Sequence, residues 1–160
     1  MLIIAAALVT ATLTACGTDS PESTNAGGGP KASCDLAPTS LIKETLGLDV
    51  TAPTVQENGT VLVCTYQPVP GAIDTVLVRF ETASSAEQFR DTRETYAEHE
   101  MQTQDYPGFA DEAYTNTLAA AGLTTNTLVA RQGPVEILVS SSASFAQEQA
   151  LEQKLFDALR

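Results

Sequence analysis

The sequence has little basic charge, a single histidine, few cysteines and no tryptophan. Eight Lys and Arg stand against 20 Asp and Glu in 160 residues, a formal charge of −12. Nucleic-acid phosphates need a basic footprint, so that class of partner is excluded. The same shortage excludes a polybasic grip on anionic lipid. With His99 the sole histidine and only three cysteines, there are few parts for a metal centre. The apolar run Leu2–Val9 is too short to span a bilayer, which takes about 20 helical residues. What remains is enough for one ordinary domain: 43% of the residues are hydrophobic and 18% charged.

The first residues read as an address. Met1 to Ala15 carry no charge, and the apolar run fits the h-region of a secretory signal. Leu13-Thr14-Ala15-Cys16 then matches a bacterial lipobox, in which the cysteine sulfur receives diacylglycerol and becomes the first mature residue. Two acyl chains suffice for stable anchoring, at about 0.8 kcal/mol per buried methylene. The usual basic start is missing, since Leu2 follows Met1 directly, a pattern consistent with a start upstream. Gly17 to Ser33 contain no large apolar residue and are rich in Gly, Ser, Thr and Pro, the composition of a flexible tether. We therefore expect a signal peptide over 1–15, a lipidated Cys16 with its tether over 16–33, and one globular domain over 34–160. The expected place is the outer face of the cytoplasmic membrane.

With Cys16 lipidated, Cys34 and Cys64 remain, and outside the cytoplasm a disulfide between them is expected. No Cys-x-x-Cys pattern or nearby histidine favours a reactive or metal-binding pair. Pro38–Leu46 reads as a short helix closed by Gly47. Val50–Glu57 and Thr60–Gln67 read as strands joined by the hairpin signal Asn58-Gly59. Asp74–Glu81 forms a third strand, with Val76, Val78 and Phe80 on one face. Ser84 or Ser85 caps a helix running to about Glu98, with a thin apolar face of Ala86, Phe89, Tyr96 and Ala97. Strands follow over Glu112–Thr117, Thr125–Arg131 and Val135–Ser141. Ser144 caps a last helix with Leu151, Leu155, Leu159, Phe145 and Phe156 on its apolar side. Glu148, Gln149, Glu152 and Asp157 are read as its polar face. The expected fold is α+β: an antiparallel sheet with helices on one face, in the order helix, three strands, helix, three strands, helix, with one disulfide.

Several motifs now stand in order. They are the lipobox, the tether, Cys34-Asp35-Leu36 before a Pro-led helix, Cys64-Thr65-Tyr66 after an Asn-Gly turn, Gly108-Phe109-Ala110-Asp111-Glu112-Ala113-Tyr114, Leu128–Gly133, and a closing Leu-rich helix. Together they resemble the small actinobacterial lipoproteins of the domain-of-unknown-function family numbered thirty-five fifty-eight, over about residues 34–160. The resemblance implies a bridge between Cys34 and Cys64. Tyr66 stands where that family often has tryptophan, and Ala110 replaces the second glycine of its Gly-x-Gly-Asp-x-Ala signature. The domain also looks similar, at fold level, to sensor domains of receptor kinases. The family has no assigned activity, and fold analogy alone carries none.

No catalytic set stands out. His99 lies near a helix end, where a cation is favourable. Ser140-Ser141-Ser142 lacks a Gly-x-Ser-x-Gly context. Asp111 and Glu112 are adjacent, which on a strand sends them to opposite faces, and no Asp-x-Asp-x-Asp loop accompanies them for calcium. Glu94, Glu98 and Glu100 read as a solvated face. We expect no enzyme, no cofactor and no metal. Two binding readings remain, and the first, a non-catalytic interaction or sensory module, is preferred to the second. In the first, Tyr106, Phe109, Asp111 and Tyr114 form an exposed interaction loop, with Tyr66 as a further aromatic anchor, although ordinary packing is the plainer account of each aromatic. In the second, a pocket between sheet and helices carries a small apolar or lipid ligand. An enclosed apolar pocket would favour the carrier, and an exposed patch the protein interface.

Overall fold

The structure is a computed structural model describing residues 31–98, 102–120 and 122–160. Cys16, the signal and most of the tether lie outside the described residues, as do His99 and Glu100. A short 3-10 turn, Cys34–Leu36, leads into helix α1, Thr39–Leu46. Strands β1 (Thr54–Asn58), β2 (Val61–Tyr66) and β3 (Val76–Glu81) form a meander. Helix α2, Ala86–Glu98, follows. Strands β4 (Thr103–Asp105), β5 (Glu112–Ala120), β6 (Leu123–Gln132) and β7 (Val135–Ser141) form a second meander, and α3 spans Phe145–Ala158.

All strands join one antiparallel sheet, ordered β1-β2-β3-β7-β6-β5-β4. The α+β class and the helix–strands–helix–strands–helix order are as expected. The second group has four strands rather than three. Three-residue β4 is too short to show a period of two, and it exists by pairing with Tyr114–Asn116.

The sheet has two differently furnished faces. Ile42 and Leu46 of α1 and Leu151, Leu155 and Phe156 of α3 pack on Val78, Phe80, Leu128, Ala130, Ile137 and Val139. Phe89 and Tyr96 of α2 pack on Tyr114, Val129, Leu138 and Leu77, which point the other way. The one-face arrangement therefore holds for α1 and α3, whereas α2 lies against the opposite face. Topology requires a crossing: the chain leaves β3 in mid-sheet and must reach β4 at the far edge.

Local chemistry accounts for the helix ends. The Ser85 amide donates to Gln88 Oε1 and the Gln88 amide to Ser85 Oγ, both at 3.1 Å, a reciprocal cap that opens α2. Gly47, at φ +75°, closes α1 in the left-handed region that favours glycine. The Cys34–Cys64 disulfide fixes the 3-10 turn to β2, with a Cα–Cα distance of 5.7 Å. Beside it the buried Tyr66 hydroxyl donates to Ala37 O at 2.6 Å. Burial first, and then the Asp35 charge, push this phenol up to about 12.

Two glutamates overturn the expected polar face of α3. Glu148 and Glu152 are fully buried, while Gln153 and Asp157 are exposed. Ser141 donates to Glu148 Oε1 at 2.7 Å, but Glu148 Oε2 and both Glu152 oxygens have no hydrogen-bond partner. The apolar stripe of α3 is broad enough to carry these two carboxyls, one turn apart, into the core. Burial pushes Glu148 up to about 8. Burial, and then the charges of Glu148 and Glu136, hold Glu152 well above the ordinary carboxyl range.

Candidate functional site

The segment from Tyr106 to Tyr114 is not a free aromatic loop. Phe109 is 5% exposed and Tyr114 1%. Phe109 meets Phe156 edge-on at 6.2 Å, and Tyr106 stacks near Phe109 and Phe145 at 6.5 and 6.4 Å. The Tyr106 hydroxyl donates to Gln149 Oε1 of α3 at 3.0 Å. The loop thus plugs the α3 side of the core, and its aromatics serve packing.

Asp111 is the exposed member of the set, and it too is engaged. Its Oδ2 accepts from the Gly133 amide at 2.8 Å, which ties the loop to the β6–β7 turn. Asp111 and Glu112 do not diverge as two strand neighbours would, because Asp111 precedes β5. Both face Arg131, at 4.0 and 3.0 Å. Arg90 also pairs with Glu112, at 2.8 Å. Burial alone would raise the Glu112 carboxyl, but hydrogen bonds from Arg90 and Arg131 outweigh it and hold it below its ordinary value. A cleft of about 350 Å³ lies between this loop and α2, and its Arg93 is paired with Asp105. These charges are paired within the fold.

Ala110 has φ +54° and is the one non-glycine with positive φ among the described residues. This conformation disfavours any side chain with a Cβ.

The more open site is on the α2 face. On β5, Tyr114 is clamped beneath α2: Phe89 lies 5.2 Å and Tyr96 6.4 Å from its ring, and the Arg93 guanidinium 5.6 Å above it. Strand pairing carries a row away from it across the sheet: Tyr114, Val129, Leu138, Arg79, Val63. The next row on the same face is Asn116, Thr127, Ser140, Leu77, Thr65. Side chains of these two rows other than Thr65, with Tyr96 as a wall, line a groove of about 300 Å³ that opens to solvent. A neighbouring hollow of about 340 Å³ shares Leu77 and Ser140 and is rimmed by Ile73 and Leu123, which are 68% and 52% exposed.

The electrostatics of the groove are quiet. Arg79 is paired with Glu136, which also accepts from Ser84 Oγ at 2.9 Å. The Thr127 hydroxyl donates to Ser140 Oγ at 2.9 Å. The Tyr114 hydroxyl is buried without a partner. Burial first, and then the Tyr96 and Glu136 groups, raise its pKa. The arrangement can hold a molecule by contact and hydrogen bonding.

The sequence reading did not name this groove, yet a signal exists. Leu128-Val129-Ala130 and Val135 through Val139 are near-continuous apolar runs rather than alternations. A strand apolar on both faces needs cover on both, or leaves an apolar floor. Among the other expectations, Ser141 is a buried partner of Glu148 and Ser142 donates to Asp74 at 2.5 Å, so these two serines are structural. No family model, curated protein or solved structure matches the chain.

Proposed function

We propose that this chain is a non-catalytic binding module of the bacterial cell envelope. In this reading a diacylglycerol on Cys16 holds it on the outer face of the cytoplasmic membrane, and residues 17–33 tether the domain. The lipobox pattern and the tether composition support the anchor. We place it with the actinobacterial lipoproteins of family thirty-five fifty-eight on the ordered motifs of residues 34–160. The glycine-demanding backbone at Ala110 supports that placement.

Of the two modes of binding, we favour capture of a small apolar ligand over a protein-binding Tyr106–Tyr114 loop. The observation that carries this choice is the apolar groove left open beside α2. The burial of Phe109 and Tyr114 takes away the anchors that the loop would need. The groove is at the lower end of the ~300–1,000 Å³ range of small-molecule sites.

The test is native mass spectrometry of the protein isolated from its own membranes, with a solvent extract of the same sample beside it. The expected result is an added mass that solvent removes. A bare polypeptide mass in freshly isolated protein would sink carriage. In parallel, Cys16→Ser should move the protein from the membrane to the soluble fraction. Retention of that variant in the membrane would sink the anchor.

A further inference from the structure

We infer that the groove beside α2 selects neutral amphipathic molecules, those with a flat apolar body and one hydrogen-bonding group, over charged ones. This rests on the reading of the groove as a binding site. Three observations carry it.

The first is the balance of charge. The one ionic group in the floor, Arg79, is already neutralised by Glu136, and Ser84 satisfies that carboxylate's second oxygen. A charged ligand would leave water and find no free counter-charge, which costs heavily in an apolar site.

The second is the floor itself. Val63, Leu77, Val129 and Leu138 form an apolar patch fixed on four paired strands, so its flat shape is set before binding.

The third is a set of neutral polar groups with spare capacity. Thr127 and Ser140 bond to each other, which leaves one O–H of the pair able to donate. The Tyr114 ring also lines the groove, while its hydroxyl is buried out of reach of it. A neutral donor beside an apolar floor, with every nearby charge paired, suits one neutral acceptor group at the edge of an apolar ring.

The experiment uses three probes of one shape: β-naphthol (neutral), β-naphthoate (anionic) and β-naphthylmethylammonium (cationic). Binding is followed by NMR on the full chain with Cys16→Ser, which avoids a bilayer that would itself take up naphthalene. The expected result is saturable binding of β-naphthol, with amide shifts centred on Leu77, Val129 and Leu138. Both charged analogues should bind more weakly by about tenfold or more. Val63→Trp, which fills the floor, should abolish the shifts. If that variant is misfolded, contacts between naphthol protons and the Val63 and Leu77 methyl groups in the unmodified groove make the same test. A charged analogue binding there as tightly as β-naphthol would overturn the neutral preference and leave the groove a site. If none of the three binds, or all bind elsewhere, the groove reading falls and this inference with it.

Discussion

Replacing Glu148 by Gln should stabilise the protein at neutral pH and leave it nearly unchanged in mild acid. In the folded chain burial holds the Glu148 carboxyl at about 8, against 4.5 for an ordinary glutamate. A carboxyl raised on folding stabilises the fold fully below pH 4.5. That contribution drains away as pH rises toward 8 and stays lost above it, because only the unfolded chain ionises in the interval. The slope is about 1.4 kcal/mol per pH unit for one such group, so by pH 7 about 3 kcal/mol is gone. Glutamine cannot ionise. Its carbonyl oxygen can accept the Ser141 hydroxyl as Oε1 does now. Its amide nitrogen would stand where Oε2 has no partner, an offset of about 1 kcal/mol. The net expectation is a gain of about 2 kcal/mol at pH 7, shrinking to near zero by pH 5. Near pH 8, where Glu148 begins to ionise, the change also relieves Glu152, whose carboxyl the Glu148 charge helps to raise, so the gain there is larger still. Urea unfolding at pH 5, 6, 7 and 8, followed by far-ultraviolet circular dichroism, reads the difference directly. A difference that stays constant from pH 5 to pH 8, or a Gln variant less stable than its parent at pH 7, would refute the account of a buried, proton-holding carboxyl.

Three further outcomes follow from the same contacts. Ala110→Gly should raise stability by about 0.5–1 kcal/mol, read from the urea midpoint, since glycine removes the left-handed strain at φ +54°; a loss would show that the Ala110 methyl group matters more than its backbone. Reducing the Cys34–Cys64 bridge should cost roughly 3–4 kcal/mol by freeing a 30-residue separation in the unfolded chain, so an unchanged midpoint with reductant would refute its contribution. Arg131→Met should weaken the fold at neutral pH and flatten its acid limb. The carboxyl of Glu112 is held low by Arg90 and Arg131 against its own burial, so its stabilisation is present above the ordinary glutamate value and is lost as pH falls below it; equal acid limbs in variant and parent would refute that pairing.

The large elements were legible because each carries a strong local signal. Asn58-Gly59 announces the first hairpin, and Gly59 has φ +61° there. The two domain cysteines imply their bridge once the third is assigned to lipid. Strand β4 and the side taken by α2 were not legible, because both depend on where the chain must go after β3, and no residue within α2 encodes that. Glu148 and Glu152 were misread for a related reason. Charge predicts exposure on average, but their positions in the turns that also carry Leu151 and Leu155 place them against β6 and β7. Phe109 and Tyr114 show the converse error. Aromatics next to Pro107-Gly108 look like loop anchors, and only the tertiary fold turns Phe109 onto α3 and Tyr114 under α2.

The groove follows from the same accounting of cover. Seven strands at about 4.8 Å spacing make a sheet roughly 29 Å across. Two helices packed about 10 Å apart can cover most of one such face, as α1 and α3 do. Among the described residues one helix, α2, lies on the other face, and it is drawn toward β4 and β5 by Arg93 with Asp105, Arg90 with Glu112, and Phe89 with Tyr114. α2 therefore reaches Leu138 and the edge of Leu77, and leaves Val63 and the β2 side of the face without a helix. A sheet face that simply met water would carry polar side chains there. This one mixes Val63, Leu77 and Leu138 with Thr65, Glu81 and Ser140, and its arginine is neutralised in place. Val63 and Leu77 form an apolar strip that α2 covers only in part, which leaves room for a molecule from outside the described residues. That mismatch between composition and cover is what makes the groove, rather than the Tyr106–Tyr114 loop, the part of the molecule to test for function.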